Sequence, residues 1–307
     1  KLNKDKLIMC DGFSGSGIVS RLLKEHASLL VTNDIEPYCE TLNRCFLSNR
    51  SEIDCSEIKK YIDLANNAQN RQKYHKVKGI IRKNYCPNDE KNISSNERVF
   101  YTIKNGEIID AIRNFVKIGI SEKMQHYILA ALIVKSSIHT NTSGLFNSFY
   151  KKDGIGHYGG KNSNDLNRIT KDIHLDMPLF SQNECPVVIK REDTNVLVKN
   201  INKEIGTEFD IVYYDPPYNK HPYGTYYFML NVINNWEVDK PIPNNFRGQD
   251  NNWFRSKYNS RRWAEETFED LIKHTKSKYI IISYNNRGII PVEKFRDILE
   301  RYGELEV

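Results

Sequence analysis

Short apolar runs and helical patterns alternate at both ends of this 307-residue chain, and the alternation stops in between. Residues 6–10 (K-L-I-M-C) and 29–32 (L-L-V-T) have the length and character of buried strands, and 17–26 and 37–47 are patterned as helices. The rhythm resumes with strand-like 187–190 (V-V-I-K), 209–214 (F-D-I-V-Y-Y) and 278–283 (K-Y-I-I-I-S), then a helix at 291–302. Parallel strands need crossover connections, usually helices, so this order predicts an open α/β sheet. From about 50 to 185, loops rich in Asn, Lys and Ser alternate with amphipathic stretches at 108–118 and 124–136. The expected organisation is a core of 1–50 and 185–307 with an inserted, mostly helical and loop region at 51–184. The tail E-L-E-V at 304–307 reads as the start of another strand, and position 1 is Lys and not Met, so natural residues are expected beyond both ends.

Hydrophobic residues make up 39% of the chain and 18 residues are Tyr, enough for a packed core with many polar-tipped rings. The net charge of +6 favours an anionic partner, with nucleic acid first. The six cysteines form no C-x-x-C pair, and the eight histidines form no H-x-x-x-H or H-E-x-x-H. Neither a disulfide framework nor a metal site is expected, and the cysteines read as reduced packing residues of a cytoplasmic protein. No apolar segment reaches membrane-spanning length and no signal peptide precedes the first strand, so no membrane partner is expected.

The first strand runs into D-G-F-S-G-S-G (11–17), where glycines let the backbone turn sharply and approach a ligand closely. The loop lacks the lysine and hydroxyl of a phosphate-binding G-x-x-x-x-G-K-[ST], which disfavours a nucleoside triphosphate. It presents acids instead. Asp11 and, later in the chain, Asp215 suit a ligand with positive charge, and Asp34 ends the second strand, where this type of fold binds ribose hydroxyls. S-adenosylmethionine has a ribose, an adenine, an ammonium and a sulfonium, and fits that set. Two readings of Asp34 stay open, ribose acceptor or N-cap of the following helix, and two of Asp193, acceptor for the cofactor adenine or surface turn.

The strand at 209–214 stops in Y-D-P-P-Y (214–218). Two prolines fix two backbone angles and remove two N–H donors, leaving a stiff loop of acceptors beside an aromatic ring. Taken alone, this is also what a rigid turn looks like.

In their order, F-S-G-S-G (13–17), N-D (33–34) and D-P-P-Y (215–218), these motifs resemble the adenine-specific (N6) DNA methyltransferases of restriction–modification systems in which the cofactor motif precedes the catalytic one. The resemblance continues in H-P-Y-G-T-Y-Y (221–227), R-S-K-Y-N (255–259) and Y-I-I-I-S-Y-N-N-R-G (279–288), and more loosely around 79–101 and at T-N-T-S-G-L-F-N-S-F-Y (140–150). It implies a Rossmann-like, seven-stranded-type sheet that uses S-adenosylmethionine, releases S-adenosylhomocysteine and needs no metal, with the insertion recognising the target. Asp11, Phe13, Ser14, Gly15, Gly17, Asp34, Ile35, Asp193 and Asp215 are the implied cofactor residues. Asp215, Pro216, Pro217 and Tyr218 are the implied catalytic ones, acting on an adenine flipped out of duplex DNA. A bacterial or phage setting and a partner restriction endonuclease are implied too. One departure stands out: the family has a segment before its first strand that helps hold the methionine carboxylate, and almost nothing precedes Leu7 here.

Cations interleave with aromatic residues at 247–263, where Arg255, Lys257 and Tyr258 are candidate DNA contacts. Tyr223 is a further candidate as an aromatic wall for the flipped base, and Lys151 and Lys152 open a Gly-rich stretch suited to a groove. The competing view of each charge run is a solvated face. Rivals for the whole chain are methylation of RNA adenine or of a protein amide, or a non-catalytic nucleic-acid-binding protein of the same fold.

Overall fold

A computed structural model of the chain describes residues 6–307. In chain order its elements are β1 (Leu7–Asp11), α1 (Ile18–Lys24), β2 (Ala27–Asn33), α2 (Pro37–Phe46), α3 (Cys55–Asn66), α4 (Ala68–Gln72), α5 (Ile81–Tyr85), α6 (Ile103–Gly119) and α7 (Glu122–Ile138). There follow β3 (Lys151–Lys152), β4 (Ile155–Gly156), α8 (Leu166–Thr170), β5 (Val187–Lys190), α9 (Thr194–Ile205) and β6 (Phe209–Tyr214). The last elements are α10 (Tyr223–Tyr226), α11 (Phe228–Asn235), α12 (Ala264–His274), β7 (Ser277–Ile282) and α13 (Val292–Tyr302).

Five of the strands form one parallel sheet in the order β5-β2-β1-β6-β7. Their side chains alternate between two apolar layers. Cys10, Val31, Val212 and Tyr214 pack with Leu197 of α9 and Phe268 of α12 on one face, while Met9 and Leu30 pack with Leu23 of α1 and Leu47 on the other. The α/β class expected from the sequence is the one observed. The parallel sheet holds five strands among the described residues where seven were implied, and 304–307 form no strand. Helix α1 also begins later than its pattern suggested, since Gly17 sits at φ 80°, outside the helical region.

The chain divides into two units. The first comprises the residues up to Ile53, Phe180–Pro222 and Phe254–Val307, and holds the sheet. Ser51 donates from both its N–H and its hydroxyl to the Glu184 carboxylate, each at 2.7 Å, so the chain leaves this unit and re-enters it at neighbouring points. The second comprises Asp54–Leu179 and Tyr223–Trp253.

Residues 223–253 were expected with the core, and polar groups inside the second unit explain where they sit. The buried Arg113 guanidinium on α6 donates to the carbonyls of Ile233 (2.7 Å) and Asn234 (2.8 Å), capping the C-terminus of α11. The Trp236 indole donates to Asn114 (2.9 Å), and the Tyr85 hydroxyl to the Gly248 carbonyl (2.7 Å). Helix α7 buries residues on all sides, from Met124 to Ser136, which makes it the centre of this unit. No helix among the described residues is long and apolar enough to cross a membrane.

Candidate active site

The sheet order places the topological switch between β1 and β6, the position where open α/β sheets bind ligands at the carboxyl ends of their strands. Both strand ends carry the motifs picked out in the sequence. Asp11 pairs in register with Tyr213, and the Gly12 N–H donates to the Tyr213 carbonyl at 3.0 Å, so the Gly-rich turn and the D-P-P-Y loop leave the sheet side by side.

Asp11 is fully buried (0% exposed). One carboxylate oxygen accepts from the Ser20 hydroxyl at 2.6 Å, and Ser20 in turn meets the Thr32 hydroxyl at 3.0 Å. The other oxygen, Oδ1, is buried with no partner. Burial first, then the neighbouring carboxylates of Asp34 and Asp215, push the Asp11 carboxyl up to about 7 against the opposing pull of the Ser20 hydroxyl and the Phe13 backbone N–H. An unpaired buried carboxylate oxygen is an uncompensated cost to the fold and a ready acceptor for a cationic ligand.

The Gly-rich turn is pinned from two directions. The Gly15 N–H donates to Asp34 Oδ2 at 2.8 Å, and the Ser14 N–H to the Asn33 carbonyl at 2.9 Å. From behind, Asn43 of α2 donates to the Ser14 hydroxyl at 2.9 Å. Gly17 is required twice over: its φ is 80°, and a Cβ there would lie 2.3 Å from Asn43 Oδ1. Gly15, at φ 50°, faces open space. Asp34 does not cap α2, whose N-cap is Glu36; its second oxygen accepts from the Glu36 N–H at 2.9 Å, folding the loop around half-buried Ile35. Burial raises the Asp34 carboxyl above its ordinary value. Asp193 is the N-cap of α9 and accepts from the Asn195 N–H at 2.8 Å. Phe13 lies edge-on to Tyr214 and Tyr258, with ring centroids 6.0 and 5.6 Å away, and packs against the core below the turn.

The D-P-P-Y loop is braced as well. Asp215 is half-buried, held above the usual carboxylate range by burial with a partly offsetting hydrogen bond from Ser283. The Ile289 N–H donates to the Tyr218 carbonyl and the Ser283 N–H to the Tyr214 carbonyl, both at 2.8 Å. The Tyr218 ring meets Tyr284 edge-on at 6.4 Å, and Tyr284 stacks on Phe295 at 4.5 Å. The result is a strand-end loop of fixed acceptors with an aromatic wall whose position is set by other rings.

Sequence reasoning missed the residues that tie these loops together. Asn33, 1% exposed, donates to the carbonyls of Gly12 (3.3 Å) and Glu192 (3.0 Å) and to the Thr194 hydroxyl (3.2 Å), and accepts from the Glu192 N–H (3.1 Å). It thereby joins the loops after β1, β2 and β5. Asn43 was missed because its spacing from the turn is that of any helical polar residue. Only Asn33, lying inside N-D, stood beside a motif.

Of the candidate DNA contacts, Arg255 and Lys257 are exposed on the first unit. Tyr258 is a correction: it is 3% exposed, packed in the core, with its hydroxyl donating to Asn195 at 2.8 Å, so it cannot reach a groove. In the second unit Lys151 and Lys152 are exposed on a hairpin whose two turn residues, Asp153 (φ 52°) and Gly154 (φ 83°), both have positive φ, as tight primed turns require. The Lys151 ammonium lies 3.7 Å over the Phe246 ring. Tyr223 opens α10, exposed, with its ring stacked near Tyr227 at 6.1 Å. Among the described residues no group of three or more His, Cys, Asp or Glu side chains is placed to hold a metal ion.

A parallel sheet ending in a Gly-rich turn, buried acids and a rigid acceptor loop defines a Rossmann-like enzyme. Comparison with known proteins names the family: the model of the D12 class N6 adenine-specific DNA methyltransferases matches residues 2–298, and the chain belongs to that family. It is 31% identical over 307 residues to the type II methyltransferase M.NlaIII of Neisseria lactamica, covering 98% of this chain and 81% of the relative. It is 25% identical to the modification methylase StsI of Streptococcus sanguinis, covering 96% of this chain and 42% of that longer protein. Type II methyltransferase M.CviAII of Paramecium bursaria Chlorella virus 1 is 23% identical, covering 97% and 81%. No solved structure gives a significant match.

Proposed function

We propose that this N6-adenine DNA methyltransferase is the modification enzyme of a restriction–modification system, taking its methyl group from S-adenosylmethionine and acting in the cytoplasm on an adenine rotated out of duplex DNA. The observation that carries the cofactor assignment is the buried, unpartnered Asp11 Oδ1 beside the Gly-rich turn. Asp11 would accept from a cationic group of the cofactor, the open side of Gly15 would admit it, and Asp34 and Asp193 would hold its ribose and adenine. When bound, the cofactor supplies an electrophilic methyl group on a sulfonium.

The adenine amino group is a weak nucleophile because its lone pair is delocalised into the ring. The Asp215 carboxylate and the Pro216 carbonyl accept from its two N–H bonds, favouring a pyramidal nitrogen with its lone pair free. The prolines hold the acceptors in place before the reaction, so little reorganisation accompanies charge development. When bound, S-adenosylmethionine would supply the methyl group and keep the S–C electron pair on sulfur as S-adenosylhomocysteine, and Asp215 would take up the surplus N6 proton. Tyr218 stacks on the base and offsets part of the few kcal/mol needed to flip it. Arg255 and Lys257 on the first unit, and Lys151, Lys152 and Tyr223 on the second, contact the duplex, with the second unit reading sequence. The resemblance of the chain to modification methylases by name supports an endonuclease partner.

The test is transfer from labelled S-adenosylmethionine to unmethylated duplex DNA, with RNA and protein controls and nucleoside analysis. N6-methyladenine from duplex DNA alone supports the proposal. Label in RNA or protein, or none despite cofactor binding, overturns it.

A further inference from the structure

We infer that Asn259 is a positioning residue for the catalytic loop. The inference rests on the reading of D-P-P-Y as the catalytic motif. The stretch that follows Tyr218 has a clamp on one side already described, the Ile289 N–H on the Tyr218 carbonyl. On the other side the Asn259 side-chain amide donates to the Asn219 carbonyl at 2.7 Å and, more weakly, to the His221 carbonyl at 3.4 Å. Asn219 in turn accepts from the His221 N–H at 2.9 Å, closing the turn directly after Tyr218. A loop whose prolines have removed N–H donors has few ways to fix itself, so a donor brought in from elsewhere decides where it ends.

Asn259 is itself well anchored. It lies in a single 3-10 turn, Lys257–Asn259, capped by the Ser256 hydroxyl. The middle residue is the buried Tyr258, whose hydroxyl donates to Asn195, the residue whose N–H is held by Asp193. One turn therefore plugs into the core beneath the cofactor turn and reaches over to the catalytic loop. Its other neighbours, Arg255 and Lys257, face solvent.

The distinguishing change is Asn259→Asp, which keeps shape and volume but replaces the donor with an acceptor facing a carbonyl. Asn259→Ala removes the group altogether, and Asn259→Gln retains a donor. In single-turnover assays on unmethylated duplex DNA with saturating S-adenosylmethionine, Asn259→Asp and Asn259→Ala are expected to slow transfer about tenfold or more, a loss of alignment by a fraction of an ångström. Asn259→Gln recovers part of it. Affinities for cofactor and DNA stay within about twofold. Unchanged rates in Asn259→Asp and Asn259→Ala, or raised KM with kcat intact, overturn the inference. Asp215→Ala run alongside separates the two claims: an active Asp215→Ala sinks the catalytic reading, whereas an inactive Asp215→Ala beside fully active Asn259 variants sinks only the positioning role.

Discussion

Replacing Asp11 by asparagine keeps the shape of a buried side chain and removes its ability to carry charge. The Asp11 carboxyl is raised from 3.8 to about 7 by burial and by the nearby acids. At about 1.4 kcal/mol per pH unit, that displacement is worth about 4 kcal/mol. The sign follows from which state holds the proton. The unfolded chain releases it near its ordinary value, while the folded protein keeps it to about neutrality, so the native state binds more protons between about pH 4 and pH 7. Stability attributable to Asp11 is therefore present in acid and lost as pH rises through that window. The amide introduced by Asp11→Asn does not titrate. Its NH2 puts two N–H donors where Oδ1 has no partner, a pH-independent cost of about 1–3 kcal/mol. Urea unfolding of both proteins at a series of pH values, without cofactor, should show the difference between them moving in favour of Asp11→Asn by about 4 kcal/mol from about pH 4 to about pH 8. The same substitution should weaken S-adenosylmethionine binding, and in the parent protein that binding should release a proton near neutral pH, seen as a buffer-dependent heat. A stability difference that stays constant with pH would refute the reasoning, because it would mean that Asp11 gives up its proton at the same pH in the folded and the unfolded chain.

Asp215→Ala should lower transfer by about 10²–10³ or more while cofactor affinity stays within a few fold, as titration calorimetry and nucleoside analysis would report. Arg255→Ala with Lys257→Ala should reduce the slope of log affinity for DNA against log salt by about 2, and an unchanged slope would remove this turn from the interface. Gly17→Ala combines a left-handed backbone with a Cβ 2.3 Å from Asn43 Oδ1, so a thermal melt should show a loss of about 2 kcal/mol or more and calorimetry a weaker cofactor complex.

The parts of this protein that were legible in its sequence are those whose partners are near in the chain. The run from Phe209 to Tyr214 could be read as a strand because its composition and the following prolines are local, and Asp11, Gly15, Gly17 and Asp34 announced themselves through spacing set by a strand, a turn and a helix. Asn33, Asn43 and Asn259 did not, because the carbonyls and hydroxyls they bind are chosen by tertiary folding; Asn33 meets Glu192, 159 residues away. Tyr258 was misread for the same reason. Among Arg255, Lys257, Arg261 and Arg262 it has the company of a nucleic-acid contact, yet the turn that carries it points the ring inward to Asn195. The placement of 223–253 depended on Arg113 and Asn114, more than a hundred residues earlier, and no local pattern records those bonds.

The Ser51–Glu184 bond has a consequence for how such a protein can change. With the exit and the return of its longest excursion fastened at one place, the strands of the sheet do not register how much chain lies between, since loop length enters closure entropy only logarithmically. Insertions and deletions in the loops of that excursion therefore change its length at little cost to the pairing of β1 with β6. An exchange of the whole second unit has to carry residues 223–253 with the excursion, because Arg113, Asn114 and Tyr85 bond to that segment, and a laboratory graft with Ser51 and Glu184 as its seam should fold only when both segments come from the same parent.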